Sequence, residues 1–187
     1  ASGGRLYDRW YAALGKKVES HRDSFVYSGA PWDLTVALDL RRQQVKQLVE
    51  PGQINLKHSH GGIVTLEYAI QYLQVMHGHR HPSLRTPNTL LALAALIDVG
   101  LIPRATGENL RKSYLFIRML IDGLRMVRGN TKDLVIPPPD SDEFIFLARR
   151  VGYQTEDWQA GARHLQTDIE EHMKQNRQFF EKMFGKL

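Results

Sequence analysis

The sequence predicts an all-α protein, an irregular bundle of about seven helices in a single domain. Three observations predict it. Apolar residues recur at three- and four-residue intervals in segment after segment, no run reads as a ladder of strands, and Pro, Gly or Asn separates the segments at lengths suited to helices. At 187 residues the chain is long enough for one well-formed core and tight for two.

The elements follow in order. Ala1-Ser2-Gly3-Gly4 reads as an artificial leader or frayed end, which leaves residues 5–187 as the helical domain. From Leu6 to about Ser20, the residues Leu6, Trp10, Ala13, Leu14 and Val18 form the stripe of an amphipathic helix, and Ser28-Gly29-Ala30-Pro31 breaks the chain. Asp33 is placed to cap a second helix carrying Leu34, Leu38, Val45, Leu48 and Val49, stopped by Pro51-Gly52. A third runs from Ile63 to about His77. Pro82 and Pro87 punctuate the next loop, and Asn88 to Val99 is a short apolar helix ended by Gly100. Thr106 opens the most strongly patterned helix, with Leu110, Tyr114, Ile117, Ile121 and Leu124 on its stripe and Gly129-Asn130 at its end. Pro137-Pro138-Pro139 cannot continue a helix. Asp140 or Ser141 then caps a helix to about Val151, with Phe144, Leu147 and Ala148 inward. A long helix from Thr155 through Phe184 has Trp158, Ala162, Leu165, Ile169, Met173 and Phe180 on its packed side.

Composition excludes several classes. There is no cysteine, so disulfides and thiolate metal sites are ruled out. No apolar run approaches the roughly 20 residues that span a bilayer, which points to a cytoplasmic protein without a membrane partner. The formal net charge of +5 invites a nucleic-acid reading, but the basic residues are scattered among acids, and the densest cluster is only Arg41-Arg42 with Lys46. Nucleic acid is not the expected partner.

Residues 57–74 are the most informative stretch. Lys57 and the pair Gly61-Gly62 stand directly before a helical pattern that carries Glu67, Gln71 and Gln74 close to its apolar side. A glycine loop with free amides, an ammonium and a helix start suit an anion such as phosphate. Two readings of Glu67 stand: an acid used by a site, or one paired with an arginine that orients the bundle. Arg111, Arg118 and Arg125 recur every seven residues on one flank, either facing an anion or laying their stems over apolar surface. Arg118, in mid-helix, is the best partner for Glu67.

Five histidines lie between His58 and His81, in the patterns His58-x-His60 and His77-x-His79-x-His81. Neither has the spacing of a helical metal motif, and no metal ligand is assigned. Asp140, Asp142 and Glu143 open a helix, where acids cap and complement the dipole. No nucleophile elbow, Walker loop or dinucleotide fingerprint is present, and no residue is assigned a catalytic role.

The stretch Leu56-Lys57-x-x-x-Gly61-Gly62-Ile63-x-x-Leu66-Glu67-Tyr68-x-x-Gln71-Tyr72-Leu73 resembles a segment of the bacterial glutamine synthetase adenylyltransferase/deadenylase family. The likeness continues through Pro82-Ser83-Leu84, Asn88-Thr89 and Ser113-Tyr114-x-x-Ile117-Arg118, covering roughly Val36 to Tyr153. The resemblance implies the helical domain that follows a nucleotidyltransferase domain. It implies a parent that, with Mg and ATP, moves AMP onto a glutamine synthetase tyrosine or removes it. In that role Lys57, Gly61 and Gly62 would lie at the nucleotide phosphates or the domain junction, supported by Glu67, Gln71 and Arg118. The family's Gly-Ser loop and its Asp-x-Asp pair, which binds magnesium, are not in this chain, so no cofactor is expected here and the chain alone is expected to be inactive. Thr65 stands where the family typically has aspartate, and Ile121 and Arg125 where it commonly has glutamate and glutamine. These departures suit the alternative, a non-catalytic interaction module that binds PII or glutamine synthetase.

Overall fold

The computed structural model describes residues 3–30, 32–130 and 133–185; Ala1, Ser2 and Pro31, named above in the expected leader and chain break, lie outside them. Seven α-helices form among the described residues: α1 (Gly3–Val26), α2 (Leu34–Leu48), α3 (Ile63–His77), α4 (Thr89–Asp98), α5 (Arg104–Arg128), α6 (Asp142–Arg150) and α7 (Trp158–Phe184), with a 3-10 turn at Pro82–Leu84. The all-α expectation holds.

Most boundaries fall where capping chemistry puts them. The Asp33 side chain accepts from the Thr35 amide, Asn88 from the amides of Leu90 and Leu91, and Ser141 from that of Phe144, each satisfying an N–H that the first helical turn leaves open. Three helices start or end away from expectation. α1 already includes Gly3 and Gly4 and runs on to Val26, because no Pro or Gly follows Gly15 until Gly29. α5 begins at Arg104, directly after Pro103. α7 begins three residues later than Thr155, where Asp157 accepts from the Gln159 amide.

The chain's contacts divide it into two compact units. One comprises the residues up to Trp32 together with Ile70–Leu101, and the other Asp33–Ala69 with the residues from Ile102 on, so α3 begins in the second and ends in the first. In the first, α4 packs on the 3-10 turn, and the buried Gln74 amide donates to the carbonyls of Leu84 (2.5 Å) and Thr86 (2.7 Å). Gln74 thus belongs to the scaffold. The α1 stripe does not pack as expected: Trp10, Leu14 and Val18 are exposed.

In the second unit α5, α6 and α7 pack on one another. Their shared core holds Ile117, Leu120 and Leu124 of α5, Phe144, Leu147 and Ala148 of α6, and Leu165, Ile169 and Met173 of α7. Leu56, Ile63 and Val64 join it from the start of α3 and the loop before. Trp158, expected on the packed side, is half exposed. An isolated antiparallel bridge pairs Asn55 with Val135, with Leu56 N–H donating to Leu134 O (2.9 Å) and Ile136 N–H to Ile54 O (2.7 Å). The bridge pins the entry to the Lys57–Gly62 loop.

Candidate functional site

The Lys57–Gly62 loop is built by its own hydrogen bonds. Asn55 Oδ1 accepts from the amides of Lys57 and His58, both at 3.0 Å, and Asn55 N–H donates to Ser59 Oγ at 2.8 Å. The amides of Gly62, Ile63 and Val64 donate back to the carbonyls of Ser59, Leu56 and Lys57. The Gly61 amide donates to Thr65 Oγ1 at 3.1 Å. The loop therefore caps α3 internally, and the amides expected to be free for an anion are taken.

The two glycines are there for close approach. Gly61 has φ +88°, and a Cβ on it would stand inside the Met173 carbonyl of α7. A Cβ on Gly62 would lie 2.7 Å from Leu56 O. From the other side, Asn176 Nδ2 donates to Gly61 O at 3.0 Å.

Side chains rather than amides make the site. A cavity of about 240 Å³ opens beside the loop, lined by Lys57, His58, Glu67, Arg118 and Arg125, with Asn55 at its edge. Ile63, Ile121 and Leu134 supply its apolar wall. Burial pushes the Glu67 carboxyl above its ordinary value, against the opposing pull of the Tyr114 hydroxyl, which donates to it at 3.4 Å, and of Arg118 and Lys57. Among the described residues no ion pair within 4 Å joins Glu67 to either cation, so the expected Glu67–Arg118 ion pair is not formed, although both side chains line the cavity and Arg118 acts on Glu67 electrostatically. Arg125 donates to Asp122 at 3.3 Å and has a buried Nε with no partner. His58 Nδ1 is also buried without a partner, and burial, Lys57 and Arg41 hold the imidazole below its usual range.

Of the residues singled out in the sequence, Lys57, Glu67 and Arg118 meet in this cavity, and Arg125 joins them from the flank. Gly61 and Gly62 shape the loop behind it. Gln71 lies one turn beyond Glu67, exposed and outside the lining, and Arg111 is likewise exposed. In the His77–His81 run, burial, His81 and His79 hold the His77 imidazole below its usual range, but no group of three or more His, Asp or Glu is placed to hold a metal among the described residues. In the Asp140–Glu143 run, Ser141 caps α6, and Glu143 accepts from Arg128 at 2.5 Å.

One residue of the site was not singled out as such. Arg41 of α2 is fully buried, and its Nη2 donates to His58 O (2.8 Å), Ser59 O (3.2 Å) and Thr65 Oγ1 (2.9 Å). It holds the loop from beneath. The signal was present, since Arg41 falls on the same helical face as Leu34, Leu38 and Val45 rather than with its neighbour Arg42.

The Glu67 shift has a consequence for stability. A carboxyl whose folded value is raised favours the protonated form in the folded state, so its contribution is fully present below the unfolded value and is lost as pH rises through the folded one. Glu67→Gln should therefore raise the melting temperature at neutral pH and leave it nearly unchanged in acid. Equal shifts at both pH values would show that burial does not set the carboxyl's state.

Comparison with known proteins places this geometry in a family. Residues 36–184 match the family model described as GlnD PII-uridylyltransferase. The chain belongs to this family. Relatives carry the name bifunctional glutamine synthetase adenylyltransferase/adenylyl-removing enzyme. The protein of Mycobacterium tuberculosis (strain ATCC 25618 / H37Rv) is 37% identical over 120 residues, which is 63% of this chain and 12% of that enzyme. That of Corynebacterium glutamicum is 32% identical over 151 residues, 80% of this chain and 14% of the enzyme. That of Corynebacterium efficiens is 32% identical over 178 residues, 94% of this chain and 16% of the enzyme. The chain thus spans a small part of the relatives it matches, and it corresponds to a helical region of them. No helix among the described residues is long and apolar enough to cross a membrane.

Proposed function

We propose that this chain is the helical region accompanying a nucleotidyltransferase domain in a cytoplasmic, glutamine synthetase adenylyltransferase-like enzyme, and that its cavity meets the phosphates of a nucleotide. The names of the family model and of the relatives share one chemistry, transfer of a nucleotidyl group. The observation that carries the reading is the convergence of Lys57, Arg118 and Arg125 on one cavity next to the loop that defines the family resemblance. Three cations facing one partly buried acid suit phosphate oxygens, whose charge they neutralise with directed N–H groups. The same donor set does not fit magnesium, which needs oxygen ligands in octahedral array and finds one carboxylate here. A metal for transfer chemistry would have to be held outside this site, and no step of the reaction is assigned to these residues.

Calorimetric titration with ATP tests the reading. The chain should bind ATP, and Lys57→Ala should weaken binding by about 30-fold, since truncating one charge of a phosphate contact costs about 2 kcal/mol. Unchanged affinity would remove Lys57 from the site.

A second reading has its own observation. Trp10, Tyr11, Leu14 and Val18 of α1 stand exposed, as do Val36 and Leu40 of α2. Apolar side chains left in water suit a protein partner, PII or glutamine synthetase, bound without nucleotide. Saturable binding of either protein by a chain that ignores ATP would favour this role over the first.

A further inference from the structure

The cavity's charges are unequal in kind. Lys57, Arg118 and Arg125 attract any oxyanion, but Glu67 shares the same space and is partly buried. An ionised carboxylate has lone pairs and no hydrogen, so it repels a ligand oxygen that also lacks one. It accepts a short, charge-assisted hydrogen bond from a ligand oxygen that carries a proton. Among the described residues Glu67 has one weak partner, the Tyr114 hydroxyl at 3.4 Å, which leaves most of its acceptor capacity unused. The unpartnered Nε of Arg125 is a donor still lacking an acceptor beside the same cavity.

We propose that this cavity takes an oxyanion that still bears a proton, a hydrogen phosphate or a protonated phosphate ester, and that Glu67 selects for that proton. The ligand's charged oxygens meet Lys57, Arg118 and Arg125, and its P–O–H donates to Glu67. Sulfate has the same tetrahedral shape and carries no proton at neutral pH, so it places a bare oxygen against the carboxylate. The selection is a built-in repulsion against the wrong ion as much as an attraction for the right one. It rests on the reading of the cavity as a phosphate contact and adds the identity of the group that the contact recognises.

Calorimetric titration of the full 187-residue chain with inorganic phosphate and with sulfate, at neutral pH and matched ionic strength, tests it. Phosphate should bind about tenfold or more tightly than sulfate, the discrimination expected when about 1.4 kcal/mol separates the two. In Glu67→Gln the side-chain amide donates to a bare oxygen, so sulfate should bind about as well as phosphate. Equal affinities in the unsubstituted chain, or a preference that survives Glu67→Gln, overturn the selection by Glu67 while leaving an anion site. Failure of both ions to bind overturns the phosphate reading itself. Adenosine monophosphate has lost most of its phosphate proton at neutral pH, so it should compete with phosphate weakly there and better as the pH falls; competition at neutral pH as tight as binding of phosphate itself overturns the selection by Glu67.

Discussion

Gly61→Ala is expected to unfold most of the second unit under conditions where the unsubstituted chain is stable. Two penalties add at this position. An alanine at φ +88° loses about 1 to 2 kcal/mol to the clash of its Cβ with its own backbone. The same Cβ is directed into the Met173 carbonyl, and that atom is helix backbone, unable to swing aside. Forcing α7 away from the loop is overpacking, with a cost of about 3 kcal/mol, and it also strips Asn176 Nδ2 from the Gly61 carbonyl. The total, about 4 kcal/mol or more, is in the exceptional tail for single substitutions. Gly52→Ala separates the terms, because Gly52 has φ +80° and nothing within 4 Å of a built Cβ. Urea denaturation followed by circular dichroism should show a small loss for Gly52→Ala and a loss several times larger for Gly61→Ala. Similar losses would mean that the Met173 approach contributes nothing.

Arg41→Met carries the second large effect, about 3 kcal/mol of destabilisation, and it weighs two opposed terms. Removing an arginine from a fully buried position relieves the cost of a desolvated charge, which burial already expresses by pulling the guanidinium below its usual value. Against that, His58 O loses its donor, while Ser59 O and Thr65 Oγ1 keep other partners within the loop. A buried carbonyl left unpaired costs about 1 to 3 kcal/mol, and the lost packing of the side chain adds to it, so destabilisation wins. All three hydrogen bonds come from Nη2 alone, and Nε and Nη1 are buried without partners. A lysine ammonium has three donors for those three acceptors and brings no surplus N–H, so Arg41→Lys should cost less than half as much as Arg41→Met. Hydrogen exchange at the Gly61 and Gly62 amides should quicken strongly in Arg41→Met and little in Arg41→Lys. A lysine variant as damaged as the methionine one would show that the planar guanidinium itself is required.

Much of this was legible in the residues. Caps and breakers are local chemistry, so Asp33, Asn88 and Gly129 mark helix ends without reference to the rest of the fold. The stripe of α5 was legible too, because Leu110, Ile117, Ile121 and Leu124 repeat over about four turns and are all buried. Periodicity says which face is apolar but not whether anything covers it. For that reason the α1 stripe was read as packed, although Trp10 and Val18 are exposed, and Trp158 was placed inward.

The site divides in the same way. Lys57, Glu67 and Arg118 were found from their spacing and from the family resemblance, because a charge beside an apolar stripe stands out in one dimension. The role of the glycines was not, since whether an amide faces a ligand or a neighbouring carbonyl depends on contacts such as Thr65 with Gly61 and Met173 with Gly61. Arg41 entered the sequence reading only as part of the Arg41-Arg42 and Lys46 basic cluster, and only its register with Leu34, Leu38 and Val45 marks it as interior.

The central claim is that a phosphate-bearing ligand enters the cavity beside the loop rather than the loop's amides or another face of the protein. Following backbone and side-chain NMR signals while ATP is titrated into the chain tests it most directly. The account predicts saturable shifts concentrated at Lys57, His58, Glu67, Arg118 and Arg125, with the Gly61 and Gly62 amides still protected from exchange because their hydrogen bonds to Thr65 and Ser59 remain. Shifts centred away from these five residues, or loss of protection at the two glycines on binding, would contradict it.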